Sequence, residues 1–469
     1  MKNIWSTLYQ ITKEKLENFP KIGGIVSAWN ANIDAVVKLS GKRIEDLLEN
    51  YNQIYKSSIN MVCTPEDLLR GLLKCFKDGI AEEWIVENEE IFLWMKNNIG
   101  YDKLQMGGQG GIIANTAAIC GVNPVFVHCA SLPKMQADLF LDLDNLVSFD
   151  TAGKEQKACS IDRKKDLPLI HWILEFDKGD EIHFNGEHFI CPKSNRFIAT
   201  YDPLNLLLHI DESFNQGILN TDKNINFIFL AGYHLLKETL YNGEHGIDEI
   251  QKSMQIIKNW KEKHKNCLVH FEFASTQDLV MRKAMLELIA KHVDSLGCNE
   301  RELIDILEVM NESELYQACM QETTSVNLFQ GLVKLFNYLN IPRIQLHMFG
   351  LYITLSQKNA PIPPINNRNG MMTAATLAAT KAGTGSLYDK DNLLWAYGQA
   401  IGDVSVKELT ALADFITKQY GQNELLNTGI ATFQDFDIIA VPTIIIDKPL
   451  TLVGMGDTIS SISLLAAKA

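Results

Sequence analysis

The sequence predicts an α/β protein. A central, mostly parallel sheet carries helices on both faces, and a small discontinuous α/β domain lies over one end. Three observations predict this. Short apolar runs of strand length alternate with longer segments of helical period, the rhythm of strand–helix–strand units. Two regions, from about 35 to 104 and from about 143 to 200, break that rhythm with irregular, charge-rich sequence and with alternating strand patterns. At 469 residues the chain exceeds what one small core serves. The expected division is a large domain of residues 1–34, 105–142 and 201–469, and a small domain of residues 35–104 and 143–200.

Ile25–Trp29 reads as a short strand that ends at polar Asn30 and Asn32. Pro124–His128, Phe227–Ala231, Cys267–Phe273, Arg343–His347 and Asp437–Val441 read likewise. Helical patterns lie between them, for example Gly246 to Lys263 and Met371 to Ala382. Within the second irregular region, Pro168–Phe176 and Glu181–Phe184 alternate as half-buried antiparallel strands do. No internal repeat or low-complexity tract interrupts the pattern. In such sheets ligands gather at the carboxyl ends of the strands, so the residues that follow each strand are the candidates for chemistry.

Composition narrows the partners. Hydrophobic residues make up 46% and charged residues 21%, the balance of a globular chain. The net charge of −14, with no dense Lys/Arg cluster to offset it, argues against nucleic acid. An acidic protein that binds phosphates must focus positive potential locally, through backbone N–H groups, a metal ion or an arginine. No apolar run reaches membrane-spanning length, and the N-terminal residues lack the apolar core of a signal peptide. Nine cysteines at irregular spacing, with no Cys-x-x-Cys pair, read as reduced thiols of a cytoplasmic protein.

Five motifs carry chemistry. Gly454-Met455-Gly456-Asp457 opens a run of small and apolar residues, as a loop does at the start of a helix. A helix start offers free N–H groups and the positive end of the dipole to an anion. An aspartate there suits a phosphoryl transfer site in which a substrate hydroxyl lies between carboxylate and phosphate; a plain helix cap has the same signature. Asn30-Ala-Asn32-Ile-Asp34 sets two amides and a carboxylate at alternating positions, suited to sugar hydroxyls or equally to Asx turns at a strand exit. Gly107-Gly108-Gln109-Gly110-Gly111 lets a backbone or ligand come close, but the dinucleotide spacing Gly-x-Gly-x-x-Gly is not met and no Walker A sequence occurs. His270-Phe-Glu272 buries a carboxylate that needs a partner or a cation, and Asn299-Glu-Arg-Glu302 opens the next helix with acids. Glu272 and Glu302 together would suit Mg²⁺, held mainly through water.

With Asn195–Ile198, Leu230–Tyr233, His270–Ser275 and Leu452–Ser460, these stretches resemble, in order and spacing, the ADP-dependent sugar kinases: the glucokinase and phosphofructokinase group of the ribokinase superfamily. The resemblance covers nearly the whole chain. It implies a ribokinase-like, Rossmann-like large domain and a small lid that closes on a sugar and ADP. By the same resemblance Asp457 is the catalytic base, and the N–H groups of Gly454 to Asp457 form the anion hole, with Met455 among the nucleotide contacts. Glu272 and Glu302 hold Mg²⁺ or another divalent cation, with Asp457 in the same metal set and Asn299 beside the nucleotide. Arg196 reaches from the lid toward the phosphates, and His347 lines the adenine pocket. Asn32, Asp34, Gly108 and Gln109 meet the sugar. The family usually has Ala where this chain has Gly110, which adds backbone freedom.

The choice of sugar rests on three positions. The family's phosphofructokinases carry a second arginine after Arg-Phe-Ile; here Asp202 stands nearby and would repel a sugar phosphate. His171, in His-Trp-Ile-Leu-Glu-Phe, matches a glucokinase histidine that, when neutral, donates to a sugar hydroxyl; a solvent-facing strand histidine would look the same. Glu83 matches a glutamate that glucokinases aim at the sugar, although Glu82 beside it leaves open which acid points inward. The expectation is a cytoplasmic, monomeric ADP-dependent glucokinase without nucleic-acid or membrane partners. A phosphofructokinase, a bifunctional kinase and a sugar- or nucleotide-binding regulator without turnover are the alternatives.

Overall fold

The computed structural model describes residues 1–49, 51, 60–433 and 435–469. Gly24–Ala28, buried at every residue, lies inside an eleven-stranded sheet. The order is Ile430–Thr432, Phe436–Pro442, Leu351–Gln357, Arg343–Met348, Ser295–Cys298, Leu268–Glu272, Ile225–Leu230, Gly24–Ala28, Val125–Val127, Leu146–Phe149 and Glu155–Lys157. From Arg343–Met348 to Leu146–Phe149 every pairing is parallel; the strands outside that run are antiparallel. Continuous apolar strands such as Ile225–Leu230 follow from burial on both faces. Pro364–Thr384, Met455–Lys468, Gln109–Ile119 and Ile11–Asn18 form one helical layer. Gly246–Lys263, Leu279–Ala284, Glu300–Val309, Ser325–Leu339 and Asp403–Tyr420 form the other. The predicted α/β class, with its mostly parallel sheet, is the observed one. No helix among the described residues is long and apolar enough to cross a membrane.

A second sheet has the order Met61–Val62, Glu82–Val86, Asn195–Tyr201, Ile170–Phe176, Asn32–Lys38 and Lys103–Gly107. It has its own core, which includes Ile33, Ala35, Trp84, Trp172 and Phe197. Alternation along Asn32–Lys38 sends Ile33, Ala35 and Val37 into that core and leaves Asn32 and Asp34 on the opposite face.

The sheets do not divide the chain where the sequence reading did. Asn32–Lys38 and Lys103–Gly107 both belong to the small sheet, so its segments start earlier and end later than residues 35 and 104. Leu146–Phe149 and Glu155–Lys157 extend the large sheet, and Ala158 and Ile161 pack in the large core, although all of these lie after residue 143. The reason is burial: Leu146–Phe149 is buried on both faces, as an inner parallel strand must be. Part of the predicted segment 35–104, residues 50 and 52–59, lies outside the described residues.

Candidate active site

The two sheets meet where Asn30–Asn32 leaves the first strand and Gly107–Gln109 enters a helix. Gly108 caps Gln109–Ile119 at φ 74°, and a Cβ there would stand 2.7 Å from both Asn30 O and Asn32 Oδ1. A Cβ at Gly110 would likewise stand 2.8 Å from Asn30 O, so at the position that departs from the family pattern this backbone has no room for a side chain. Gly108→Ala is expected to cost about 1–3 kcal/mol through backbone strain and this clash. Denaturant titration checks it, and an unchanged midpoint would contradict the contact.

Gly454, at φ 60°, starts the helix Met455–Lys468, whose first N–H groups have no acceptor within the helix. Met455 is the half-buried first residue, Gly456 the second and Asp457 the third. Asp457 is buried, and burial lifts its pKa above the usual carboxylate value; the Lys381 charge and a hydrogen bond from Gln109 work against that rise. Gln109 accepts from Gly232 N at 3.0 Å through Oε1, which leaves its NH₂ group for Asp457. Lys381 Nζ donates to Gly454 O at 3.0 Å and to Thr458 Oγ1 at 3.1 Å, and burial pushes its pKa down to about 8. Sequence reasoning missed Lys381. Its signal was a single charge among the small residues of a helix.

Directly beneath this helix start lie Glu272, Glu302 and His347. Glu272 ends one strand, Asn299 and Glu302 follow the next, and His347 is near the end of the third, so the parallel sheet itself gathers them. A Cβ on Gly456 would stand 3.0 Å from His347 Nε2 and 3.5 Å from Glu272 Oε1. One ligand atom from each of the three side chains lies within 4.8 Å of the others. Burial, reinforced by Glu302 and Asp457, raises the Glu272 pKa well above its ordinary value. Burial also raises Glu302 to about 8, against the N–H of Asn299, which donates to Glu302 Oε2 at 2.7 Å. Asn299 Oδ1 accepts Glu302 N at 3.0 Å, so the side chain expected beside the nucleotide caps the helix. His347 was expected to line an adenine pocket. It is seated instead with the carboxylates, its Nε2 3.5 Å from Glu272 Oε1, and burial lowers its pKa to about 4.

Behind Glu272 runs a buried relay that sequence reasoning also missed. Arg343 Nη1 donates to Ser295 Oγ at 2.9 Å, and Ser295 Oγ lies 2.9 Å from His270 Nδ1. Arginine only donates, so the serine hydroxyl proton is left for Nδ1 and the imidazole proton sits on Nε2, 3.3 Å from Glu272 Oε2.

The sugar-side candidates form a row across the small sheet. In register, Asp34 adjoins both Gln105 and His171, and His171 adjoins Thr200. Asn32 Nδ2 donates to Asp34 Oδ1 at 3.0 Å. Burial raises the Asp34 pKa to about 6, with His171, Asn32 and the Arg196 charge opposing it. Thr200 donates to Glu83, which stands 4.0 Å from His171 Nδ1, while Glu82 pairs with Lys74; Glu83 is therefore the inward acid. Arg196 is exposed and shares its strand face with Thr200. Asn30 Oδ1 and Asn32 Oδ1 are buried acceptors with no hydrogen-bond partner among the described residues.

His171 departs from expectation. Its Nε2 lies 3.0 Å from Asp202 Oδ2, and Asp202 also accepts from Asn205 N and Nδ2. Burial opposes charge on the ring, yet the hydrogen bond and charge of Asp202, with Glu83 and Asp34 adding, carry its pKa up to about 9. His171 is a cation committed to Asp202, not the expected neutral donor, and it offsets the repulsion that Asp202 alone would exert on a phosphate. A raised pKa contributes stability that is present in full below the ordinary value of about 6.5 and lost as pH rises through about 9. The wild-type advantage over His171→Gln is therefore expected to be on the order of 2–3 kcal/mol near pH 6 and to shrink toward pH 9.5. Thermal melts of both proteins across that range test it; a difference independent of pH would contradict it.

An uncapped helix start thus lies over buried carboxylates, beside a polar sheet face, on a ribokinase-like fold. The family model described as "ADP-specific Phosphofructokinase/Glucokinase conserved region" matches residues 23–466, and the chain belongs to that family. An ADP-dependent glucose/glucosamine kinase of Pyrococcus abyssi is 30% identical, with 97% of each chain covered. An ADP-specific phosphofructokinase of Methanosarcina acetivorans is 28% identical, with 95% of this chain and 93% of that one covered. A solved ADP-dependent kinase in complex with fructose-6-phosphate and ADPβS superposes with a TM-score of 0.82 at 28% identity, covering 98% of this chain and 97% of that one.

Proposed function

We propose that this ADP-dependent sugar kinase is a glucokinase that moves the β-phosphoryl group of ADP to the 6-hydroxyl of glucose, giving glucose 6-phosphate and AMP. One observation carries the reading: Asp457 sits in the open first turn of a helix, and Gln109 joins it to the loop that holds Asn32 and Asp34. A hydroxyl brought against Asp457 loses its proton there, while the N–H groups of Met455 to Asp457 face the phosphoryl oxygens. Arg196 adds positive charge from the small sheet. The unpartnered oxygens of Asn30 and Asn32 suit donors such as sugar hydroxyls. Glu272, Glu302 and the unpartnered His347 Nε2 fit a divalent cation, which, when bound, would neutralise phosphate charge.

The acceptor is the finer part of the reading. Asp34, Glu83 and Asp202 place three carboxylates around the sugar position, with His171 and Arg196 as the nearby cations. That balance favours an uncharged or amino sugar over a sugar phosphate. The phosphofructokinase reading keeps one observation in its favour: Asp202 is paired with His171 rather than free. Initial rates with glucose, glucosamine and fructose 6-phosphate, each with ADP or ATP, test this. Glucose with ADP is expected to exceed fructose 6-phosphate by about tenfold or more in kcat/KM. A preference for fructose 6-phosphate would overturn the glucokinase reading, and equal use of ATP would overturn the donor.

A further inference from the structure

The cluster of Glu272, Glu302 and His347 has a donor set that the proposed phosphoryl transfer does not call for. Two carboxylates would suffice for a hydrated, oxygen-preferring cation such as Mg²⁺. The third group is an imidazole 6% exposed, whose Nε2 has no hydrogen-bond partner among the described residues. A buried ring nitrogen without a partner is costly, so its retention calls for something that uses the lone pair. No donor among the described residues hydrogen-bonds to it: Gly456 lies against the ring, Ser460 Oγ lies 3.5 Å from the other nitrogen, and the carboxylate oxygen Glu272 Oε1, an acceptor, lies 3.5 Å from Nε2. Metal–ligand bonds of about 2.0–2.2 Å place neighbouring donor atoms roughly 3.0–3.5 Å apart, which is the spacing of this pair. Glu302 has one carboxylate oxygen held by Asn299 N and the other available to complete the set. The relay from Arg343 through Ser295 to His270 commits Glu272 Oε2 to a hydrogen bond and leaves Oε1 for the side facing His347.

We infer that Glu272, Glu302 and His347 form a three-donor, mixed nitrogen–oxygen site that binds a first-row transition cation directly, in preference to Mg²⁺. Imidazole is a ligand for Zn²⁺, Co²⁺ and Ni²⁺ and contributes little to Mg²⁺, so the nitrogen sets the selectivity. The inference rests on the proposed function only in taking Glu272 and Glu302 as the cation site; it concerns which ion they hold and how.

The test uses the full chain without nucleotide or sugar, titrated calorimetrically with Co²⁺ alone and with Mg²⁺ alone. The exposed pair His183 and His188, stacked at 4.4 Å, is an alternative cation site on the surface, so the titrations are run in parallel on the His183→Gln/His188→Gln protein. One Co²⁺ is expected per chain, bound about tenfold or more tightly than Mg²⁺, on both backgrounds. His347→Gln is expected to weaken Co²⁺ by about tenfold or more and to leave Mg²⁺ within about threefold. Equal or tighter binding of Mg²⁺, or Co²⁺ affinity unmoved by His347→Gln, would overturn the inference. If His347→Gln fails to fold, pulsed EPR of Mn²⁺ bound to the wild-type chain decides. Nitrogen coupling from a directly bound imidazole supports the site, and its absence refutes it. Failure here leaves Mg²⁺-supported phosphoryl transfer intact, whereas failure of the kinase reading leaves Co²⁺ binding without turnover.

Discussion

Asp457→Asn is expected to lower turnover by about 10²–10⁴-fold while the folded protein becomes no less stable. The substitution keeps the shape of the side chain and removes only its ability to take a proton. The stability half of the expectation follows from the same geometry. Asp457 is buried and its pKa is raised, so at neutral pH the folded state holds its charge at a cost, only partly offset by Lys381 and Gln109. A raised carboxylate pKa is destabilising above that pKa, so the neutral asparagine relieves a penalty. Steady-state kinetics and thermal melts of both proteins measure the two effects. Near-normal turnover would remove Asp457 from the role of base. A large loss of stability would show that the carboxylate is a structural cap.

The second large effect is expected at Arg343. Its guanidinium is buried beneath the metal-site candidates and donates to Asn367 Oδ1 at 2.8 Å, to Ser295 Oγ at 2.9 Å and to Gln345 Oε1. Burial lowers its pKa to about 9, with the Glu272 charge opposing that shift. Arg343→Met fills similar volume but leaves these acceptors without their donor inside the sheet. About 3–5 kcal/mol of unfolding free energy is expected to be lost, since breaking one side of a buried polar network leaves the rest uncompensated. Arg343→Lys is expected to recover little, because an ammonium cannot reproduce the planar fork of donors. Denaturant unfolding measures this; a loss below about 1 kcal/mol would mean that water or neighbouring groups satisfy the network.

The inner strands of the large sheet were legible because continuous apolar runs need burial on both faces. Ser295–Cys298 was not seen, since four residues with a glycine carry too little pattern. Leu351–Gln357 was hidden because only Phe349 and Gly350 separate it from the strand before, with Gly350 at φ 90° making the turn. The site divides along the same line. Asp457, Glu272, Glu302, Gln109, Asn32 and Asp34 sit in local motifs at strand or helix ends, where a short window of sequence is enough to single them out as candidates. The places of His347 beside Glu272, Asp202 beside His171 and Lys381 beneath Gly454 depend on strand register and helix packing. No short window of sequence contains those pairings. The expected neutral state of His171 was overturned for this reason: the charge on its ring is set by a carboxylate 31 positions away.

The most direct test of the account follows the phosphorus atoms themselves. Phosphorus NMR of the purified chain with ADP, glucose and a divalent cation is expected to show the β-phosphoryl signal of ADP replaced by glucose 6-phosphate and AMP in equal amounts. With Asp457→Asn in place of the wild type, the same spectrum is expected to stay that of ADP over the same time. Persistence of ADP with every sugar tried, or its conversion to inorganic phosphate without a sugar phosphate, would contradict the claim that this helix start and its aspartate pass a phosphoryl group to a sugar hydroxyl.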